Sequence, residues 1–254
     1  MEDDWNTIKC NLKRVVFLTF DVEPDAPPYQ SSSTRGLKGG LPWILNMLSK
    51  KNIKATFFIV GELADKNPSM IEAILEDGHE IGSHGYDHRR LDRLSSIEAI
   101  RNIKKSIDSL SVFQHISSFR APNLQPPRIS PNDYLSLGIE VDSSIAYYKD
   151  KTYDRPVKKN GLVILPATAT SSTIRLPKML AVKFTLNPNR EYHLLFYHPW
   201  EFTRIKRKPL YRPDIWVRTG SYARHTLELI VDKARQRGFE FLRVSEAIER
   251  LECG

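Results

Sequence analysis

Short runs of β-branched and aromatic residues recur along the 254-residue chain, separated by segments of helical period. That alternation restricts the fold to a parallel sheet covered by helices. A strand is expected at Val15–Phe20, an amphipathic helix at Leu41–Lys51 and a second strand at Ala55–Val60, which together make a β-α-β unit. The pattern continues with a helix near Pro68–Asp77, a strand at Glu80–Gly82, a helix at Ile97–Leu110 and strands at Ser117–Arg120 and Ile139–Asp142. Ser95-Ser96-Ile97-Glu98 reads as a capping box at the start of one of these helices. From Tyr147 to Asn187 the pattern weakens, with short strands expected at Leu162–Leu165 and Thr173–Leu176 amid loops. It returns as a strand at Tyr192–Tyr197, a helix at Ser221–Arg237 stopped by Gly238, a strand at Phe239–Val244 and a last helix from Ser245. No repeat or linker divides the sequence, so residues 1–254 are expected to form one α/β domain, barrel or open sheet.

The remaining composition narrows the function classes. Lys and Arg outnumber Asp and Glu by 38 to 30, a net charge of +8, with local clusters at Lys149-Asp150-Lys151, Lys158-Lys159 and Arg204-Ile205-Lys206-Arg207-Lys208. No nucleic-acid module or aromatic stacking array accompanies them, so they read first as solvated loops and second as a docking surface for phosphate on a lipid-linked or nucleotide-linked sugar. Cys10 and Cys253 are the only cysteines, too few for a disulfide framework or a cysteine-rich zinc site, and two free thiols are expected ahead of a bridge tying the ends together. The first residues, Met1-Glu2-Asp3-Asp4, are acidic, no apolar leader segment follows them, and no stretch of about 18 apolar residues occurs. A cytoplasmic location is expected on that basis.

Residues suited to chemistry gather where the expected strands end. Asp21 and Glu23 are two apart at the end of the first strand, so a period of two aims both carboxylates at one face while Phe20 and Val22 point away. In parallel α/β folds that end carries the sites. His84 and His88 follow another strand four residues apart, a spacing that on a helical turn would bring both imidazoles to one ion. Two histidines and a carboxylate leave coordination positions open to water, as catalytic sites require. Asp87 between them can be read as a supporting partner or as surface. Arg120 at a third strand end can hold a carboxylate ionised. Asp142 and His198 occupy two more strand ends.

The segments Thr-Phe-Asp-Val-Glu at 19–23, Ser-His-Gly-Tyr-Asp-His at 83–88, Arg-Ala-Pro at 120–122, Asp-Ser-Ser at 142–144 and Tyr-His-Pro-Trp-Glu at 197–201 resemble, in order, the motifs of the polysaccharide deacetylases. This is the NodB-homology group, carbohydrate esterase family four, here in its Asp-x-Glu form. The resemblance implies a distorted (β/α) barrel of about seven parallel strands that hydrolyses acyl groups, chiefly N-acetyl, on sugars. It implies Asp21 as catalytic base, Glu23, His84 and His88 as metal ligands, Arg120 as the group orienting the base, Asp142 as the acid tuning the histidine, and His198 as general acid. Three features depart from the commonest pattern: Val22 separates the two first-motif acids, Phe196 stands where leucine lines the acetyl pocket, and no tryptophan follows Asp142-Ser143-Ser144 closely.

The expected cofactor is one divalent ion, zinc ahead of iron, cobalt or manganese. The ion would lower the pKa of its water, Asp21 would take the water's proton, and a backbone N–H near Tyr147 or Tyr148 would help hold the oxyanion. The expected partner is an N-acetylated carbohydrate, with or without a phosphate-bearing carrier. Nucleic acid and a transmembrane segment are not expected, and the oligomeric state stays open. Competing readings are a deformylase or small-amide amidohydrolase on the same scaffold, a non-catalytic carbohydrate-binding derivative, and a non-haem iron oxygenase, which the β-α alternation disfavours. His79, His115, His193 and His225 are assigned to structure or surface.

Overall fold

Val15–Val22 (β2) is the longest strand among the described residues, and all eight of its residues are shielded from solvent, as a central parallel strand packed on both faces requires. The computed structural model describes residues 7–26, 33–207 and 211–253; Met1-Glu2-Asp3-Asp4 and Lys208 of the last basic cluster lie outside them. One edge of β2 pairs in parallel with Thr56–Ile59 (β3), the other with Tyr192–Tyr197 (β9). From β3 the parallel order continues through Glu80–Ser83 (β4), Ser118–Phe119 (β5), Val141–Asp142 (β6) and Leu162–Ile164 (β8). This array is the distorted barrel of seven parallel strands expected from the sequence. No ladder closes it between β8 and β9; instead Thr168 N–H donates to Leu194 O at 3.0 Å and the Tyr192 hydroxyl donates to Pro166 O at 3.0 Å across the gap. A further parallel strand, Glu240–Leu242 (β10), lies beside the start of β2.

Three strands were not legible. Val157–Lys159 (β7) turns back antiparallel on β8, Thr7–Asn11 (β1) pairs with β7, and Glu252–Cys253 (β11) pairs with β1. Cys10 stands opposite Cys253 in that last pairing and is disulfide-bonded. The expectation of two free thiols is therefore overturned, because an antiparallel ladder brings the two ends of the chain side by side.

Helices cover the outside at Leu41–Lys50, Pro68–Glu76, Ser96–Leu110 and Ser221–Gln236. The Ser95 capping box is formed, with the Glu98 carboxylate accepting from Ser95 N–H. The strand expected at Thr173–Leu176 is instead a 3₁₀ turn, Ser171–Arg175, followed by a helix at Lys178–Thr185. Its hydroxyls favour local bonds over a ladder: Thr173 Oγ1 donates to Thr170 O at 2.8 Å, and Pro177 sits just before the helix. Among the described residues no helix is long and apolar enough to cross a membrane.

Strand alternation sorts the core into two layers. Phe17, Phe58, Val141, Val163, Leu194 and Phe196 pack together in the interior, while Leu18, Phe20, Phe57, Ile59, Ile81, Phe119 and Leu195 pack outward among the helices. Residues in phase with the inner set at the strand ends therefore converge on one mouth.

Candidate active site

Asp21 and Glu23 are in phase with Phe17, and His198 is in phase with Phe196, which brings all three to the mouth. The carboxylates are buried. Glu23 Oε2 lies 3.7 Å from His84 Nε2 and 2.5 Å from His88 Nε2, and donor atoms of the three side chains fall within 4.8 Å of one another.

The histidine loop is built for this arrangement. His84 follows β4, Gly85 adopts φ +71°, and His88 itself is left-handed at φ 57°. The two rings, 5.4 Å apart, are therefore joined by a strained loop rather than by the helical turn expected from their spacing. Asn102 of the Ser96–Leu110 helix pins the loop, accepting from Tyr86 N–H and donating to Asp87, each at 2.8 Å. Asp87 thus holds the loop and does not reach the cluster.

Arg120 is fully buried and distributes its guanidinium over three neighbours. Nη1 donates to Asp21 Oδ1 at 2.7 Å and to Thr19 Oγ1 at 2.8 Å, and Nη2 donates to Ser143 Oγ at 2.8 Å. This leaves Asp21 Oδ2 to face the pocket, 4.0 Å from His198 Nε2.

Asp142 is placed elsewhere. Val141 belongs to the inner layer, so its neighbour Asp142 points the other way, where Ser144 N–H and Oγ donate to its Oδ1. Burial pushes Asp142 up to about 6, moderated by the Ser144 bonds and the Arg120 charge. The carboxylate on the Nδ1 side of His198 is Glu201. Its Oε2 lies 3.4 Å from His198 Nδ1 and accepts from His198 N–H at 2.8 Å. Arg175, also buried, donates to Oε1. The signal was available, since Glu201 follows His198 by three residues with Pro199 at the first turn, the spacing of a reciprocal cap. Burial works to lower the His198 pKa, but Glu23, Glu201 and Asp21 outweigh it and hold the imidazole up to about 9.

The residues fit a metal ion on two structural grounds. His84 Nδ1 sits 2.8 Å from Arg120 O, and because a carbonyl can only accept, that nitrogen carries the proton and Nε2 presents a bare lone pair. His84 Nε2 and His88 Nε2 are both buried and face no hydrogen-bonding group among the described residues other than the Glu23 carboxylate, whose pKa lies well below the usual range. For Glu23, burial opposes that lowering, and the His198 and His88 charges with the His88 bond overcome it. A bare imidazole lone pair and a carboxylate buried this close together are costly unless a cation lies among them.

A cavity of about 180 Å³ opens over these groups, walled by Leu124, Tyr148 and Phe196. Asn123 and Leu124, in the loop after Arg120, are both left-handed, at φ 61° and 51°. Of the two backbone donors considered for an oxyanion, Tyr147 N–H is already bonded to Ala167 O at 2.9 Å, which leaves that of Tyr148.

Comparison with known proteins places this geometry. A peptidoglycan-N-acetylglucosamine deacetylase from Listeria monocytogenes is 31% identical over 155 residues, 61% of this chain and 30% of that protein. The chain thus spans less than a third of that relative's length. A chitin deacetylase from Colletotrichum lindemuthianum is 30% identical over 157 residues, covering 59% of this chain and 58% of that protein. Among solved structures, a CE4 family pseudoenzyme from Bacillus anthracis superimposes with a TM-score of 0.61 over 92% of this chain and 65% of its own, at 18% identity. At that identity the likeness shows the fold alone, and a shared fold does not by itself carry activity. The polysaccharide deacetylase family model matches residues 8–141, more than half of the sequence, and spans Asp21, Glu23, His84, His88 and Arg120; this chain belongs to the polysaccharide deacetylase family.

Proposed function

We propose that the chain is a metal-dependent hydrolase that removes N-acetyl groups from a sugar or glycan, acting as one catalytic domain. The observation that carries this reading is the convergence of Glu23, His84 and His88 beside a carboxylate held by a buried arginine. Glu23, His84 and His88 would hold the ion, with zinc favoured by the mixed nitrogen and oxygen donors. Once held there, a divalent ion supplies Lewis acidity at the acyl carbonyl and a water of lowered pKa.

The chain's own groups supply the rest. Asp21, one oxygen fixed by Arg120, turns the other toward the pocket to take a proton. Tyr148 N–H is the donor proposed for charge on the carbonyl oxygen. His198, its Nδ1 turned to Glu201, keeps a proton on Nε2 for the departing amine. Phe196 and Leu124 leave little room beside these groups, which favours a small acyl group such as acetyl. The Cys10 disulfide favours an oxidising compartment over the cytoplasm expected from the sequence.

The test is metal analysis of the purified chain together with acetate release from N-acetylglucosamine oligomers before chelation, after it, and after zinc is restored. One bound ion per chain and activity that follows the ion are expected. Acetate release that survives complete chelation would overturn the proposal. Formate release from a formamido sugar in place of acetate would move it to the deformylase reading.

A further inference from the structure

A second cavity, of about 440 Å³, adjoins the catalytic pocket and is not used by the mechanism above. Tyr148 lines both cavities. Thr170 and Ser172 also line a recess bordered by Glu23, His198 and Trp200, so the second cavity adjoins the catalytic groups on two sides. A sugar seated over the metal ligands would therefore place its chain neighbour in this cavity.

The chemistry of the walls is specific. Lys151 Nζ lies 3.9 Å and the Arg190 guanidinium 4.0 Å from the centre of the Tyr147 ring, and both cations line the cavity. Among the described residues neither is paired with a carboxylate. Arg190 donates one N–H to Asp154 O at 2.7 Å and keeps the rest of its fork, while the Asp154 carboxylate turns to Lys9 and Arg155. Hydroxyl groups of Thr168, Thr170 and Ser172 line the same space. His193 also reaches it, 1% exposed, with neither ring nitrogen hydrogen-bonded. Burial, followed by the charges of Arg190 and Arg237, pushes that imidazole down to about 4 and keeps it neutral, an environment that repels cations.

We propose that this cavity is an accessory subsite for a sugar residue bearing an oxyanion substituent, a carboxylate or a phosphate, next to the sugar being deacylated. Lys151 and Arg190 bind the anion, and the hydroxyls bind the ring oxygens. The subsite rests on the deacylase reading and names the class of glycan it acts on.

The test uses three probes: the neutral N-acetylglucosamine tetramer, a tetrasaccharide alternating N-acetylglucosamine with N-acetylmuramic acid, whose lactyl ether carries a carboxylate, and the tetramer bearing a terminal phosphate. Binding is measured by calorimetry on the metal-loaded Asp21→Asn chain, so that affinity is read whether or not turnover occurs, and acetate release is measured on the unaltered chain. At low salt at least one anionic probe should bind about fivefold more tightly than the neutral tetramer, the gain typical of one partly exposed ion pair. Which probe gains identifies carboxylate or phosphate as the substituent. The gain should vanish in Lys151→Ala with Arg190→Ala and reverse in Lys151→Glu, whose exposed position leaves the fold intact. Equal affinity for all three probes, or a preference that persists in Lys151→Glu, would overturn the subsite. Charge-sensitive binding with no acetate released from any probe would leave the subsite standing and sink the deacylase reading.

Discussion

At the scale of single residues, the site rests on the phase of side chains at strand ends. Asp21 and Glu23 were legible because a two-residue spacing needs only one strand to bring two carboxylates to one face. His84, His88, Arg120 and His198 were legible as polar residues at the ends of apolar runs. Glu201 was legible only as the reciprocal-cap spacing after His198, and Arg175 was not legible, since it lies in a segment read as a strand. Because Asp21 touches Arg120 and no ligand atom, Asp21→Asn should keep the metal and cut turnover by roughly 10²–10⁴-fold, the range for loss of a general base. His84→Ala should lose metal and turnover together. Metal content measured beside initial rates separates the two, and full turnover in Asp21→Asn would remove it as the base. Glu201 makes a different prediction. In metal-free protein His198 should titrate near 9 by NMR, and Glu201→Gln, by deleting one of the carboxylates that stabilise the imidazolium, should lower that value by about one unit. An unchanged titration would show that Glu201 does not act on His198.

At the scale of elements, β2, β3, β4, β9 and the four long outer helices were readable from period alone, because each buries a face with a regular repeat. The two-residue strands β5 and β6 were read longer than they are, and β1, β7 and β11 were missed. Short strands mixing charged and apolar residues, such as Val157-Lys158-Lys159, carry no periodic signal. The 84–88 loop shows the same limit, since spacing foretold that its histidines would meet but not the left-handed backbone that makes them meet. That conformation is held from outside by Asn102, a residue with no motif to mark it. Asn102→Ala should leave Tyr86 N–H unpaired, costing about 1–3 kcal/mol of stability. It should also weaken metal binding by about tenfold or more, as loss of a supporting partner does elsewhere. Denaturant melts and a metal titration check both, and unchanged metal affinity would show that the loop holds its shape unaided.

At the scale of the whole molecule, two features bear on stability. The disulfide on Cys10 joins β1 to the far end of the sequence, so Cys10→Ser should cost about 2–4 kcal/mol by freeing the unfolded chain. That loss should appear as a lower melting temperature only under non-reducing conditions, since a reductant would bring the parent protein to the same value. Acid sensitivity has a separate origin in two histidines that serve no catalytic step. His79 and His193 are buried, and burial first, with nearby Lys54 for His79 and Arg190 and Arg237 for His193, pushes each down to about 4. Between the ordinary histidine value of 6.5 and about 4, the unfolded chain takes up these protons and the folded chain does not. Stability is therefore fully present above pH 6.5 and lost as the pH falls toward 4, by about 3 kcal/mol for each histidine. Neither ring nitrogen of His193 has a hydrogen-bond partner among the described residues, so His193→Leu removes a titrating group without breaking a bond. Chemical denaturation of that variant at pH 7 and pH 4.5 should give a pH-dependent loss smaller by roughly half of the two-histidine share, with stability at pH 7 equal to or above that of the parent chain. If the loss between the two pH values were the same in both proteins, His193 would have to be reached by water or a counter-charge in solution, and the closed wall behind the second cavity would be wrong.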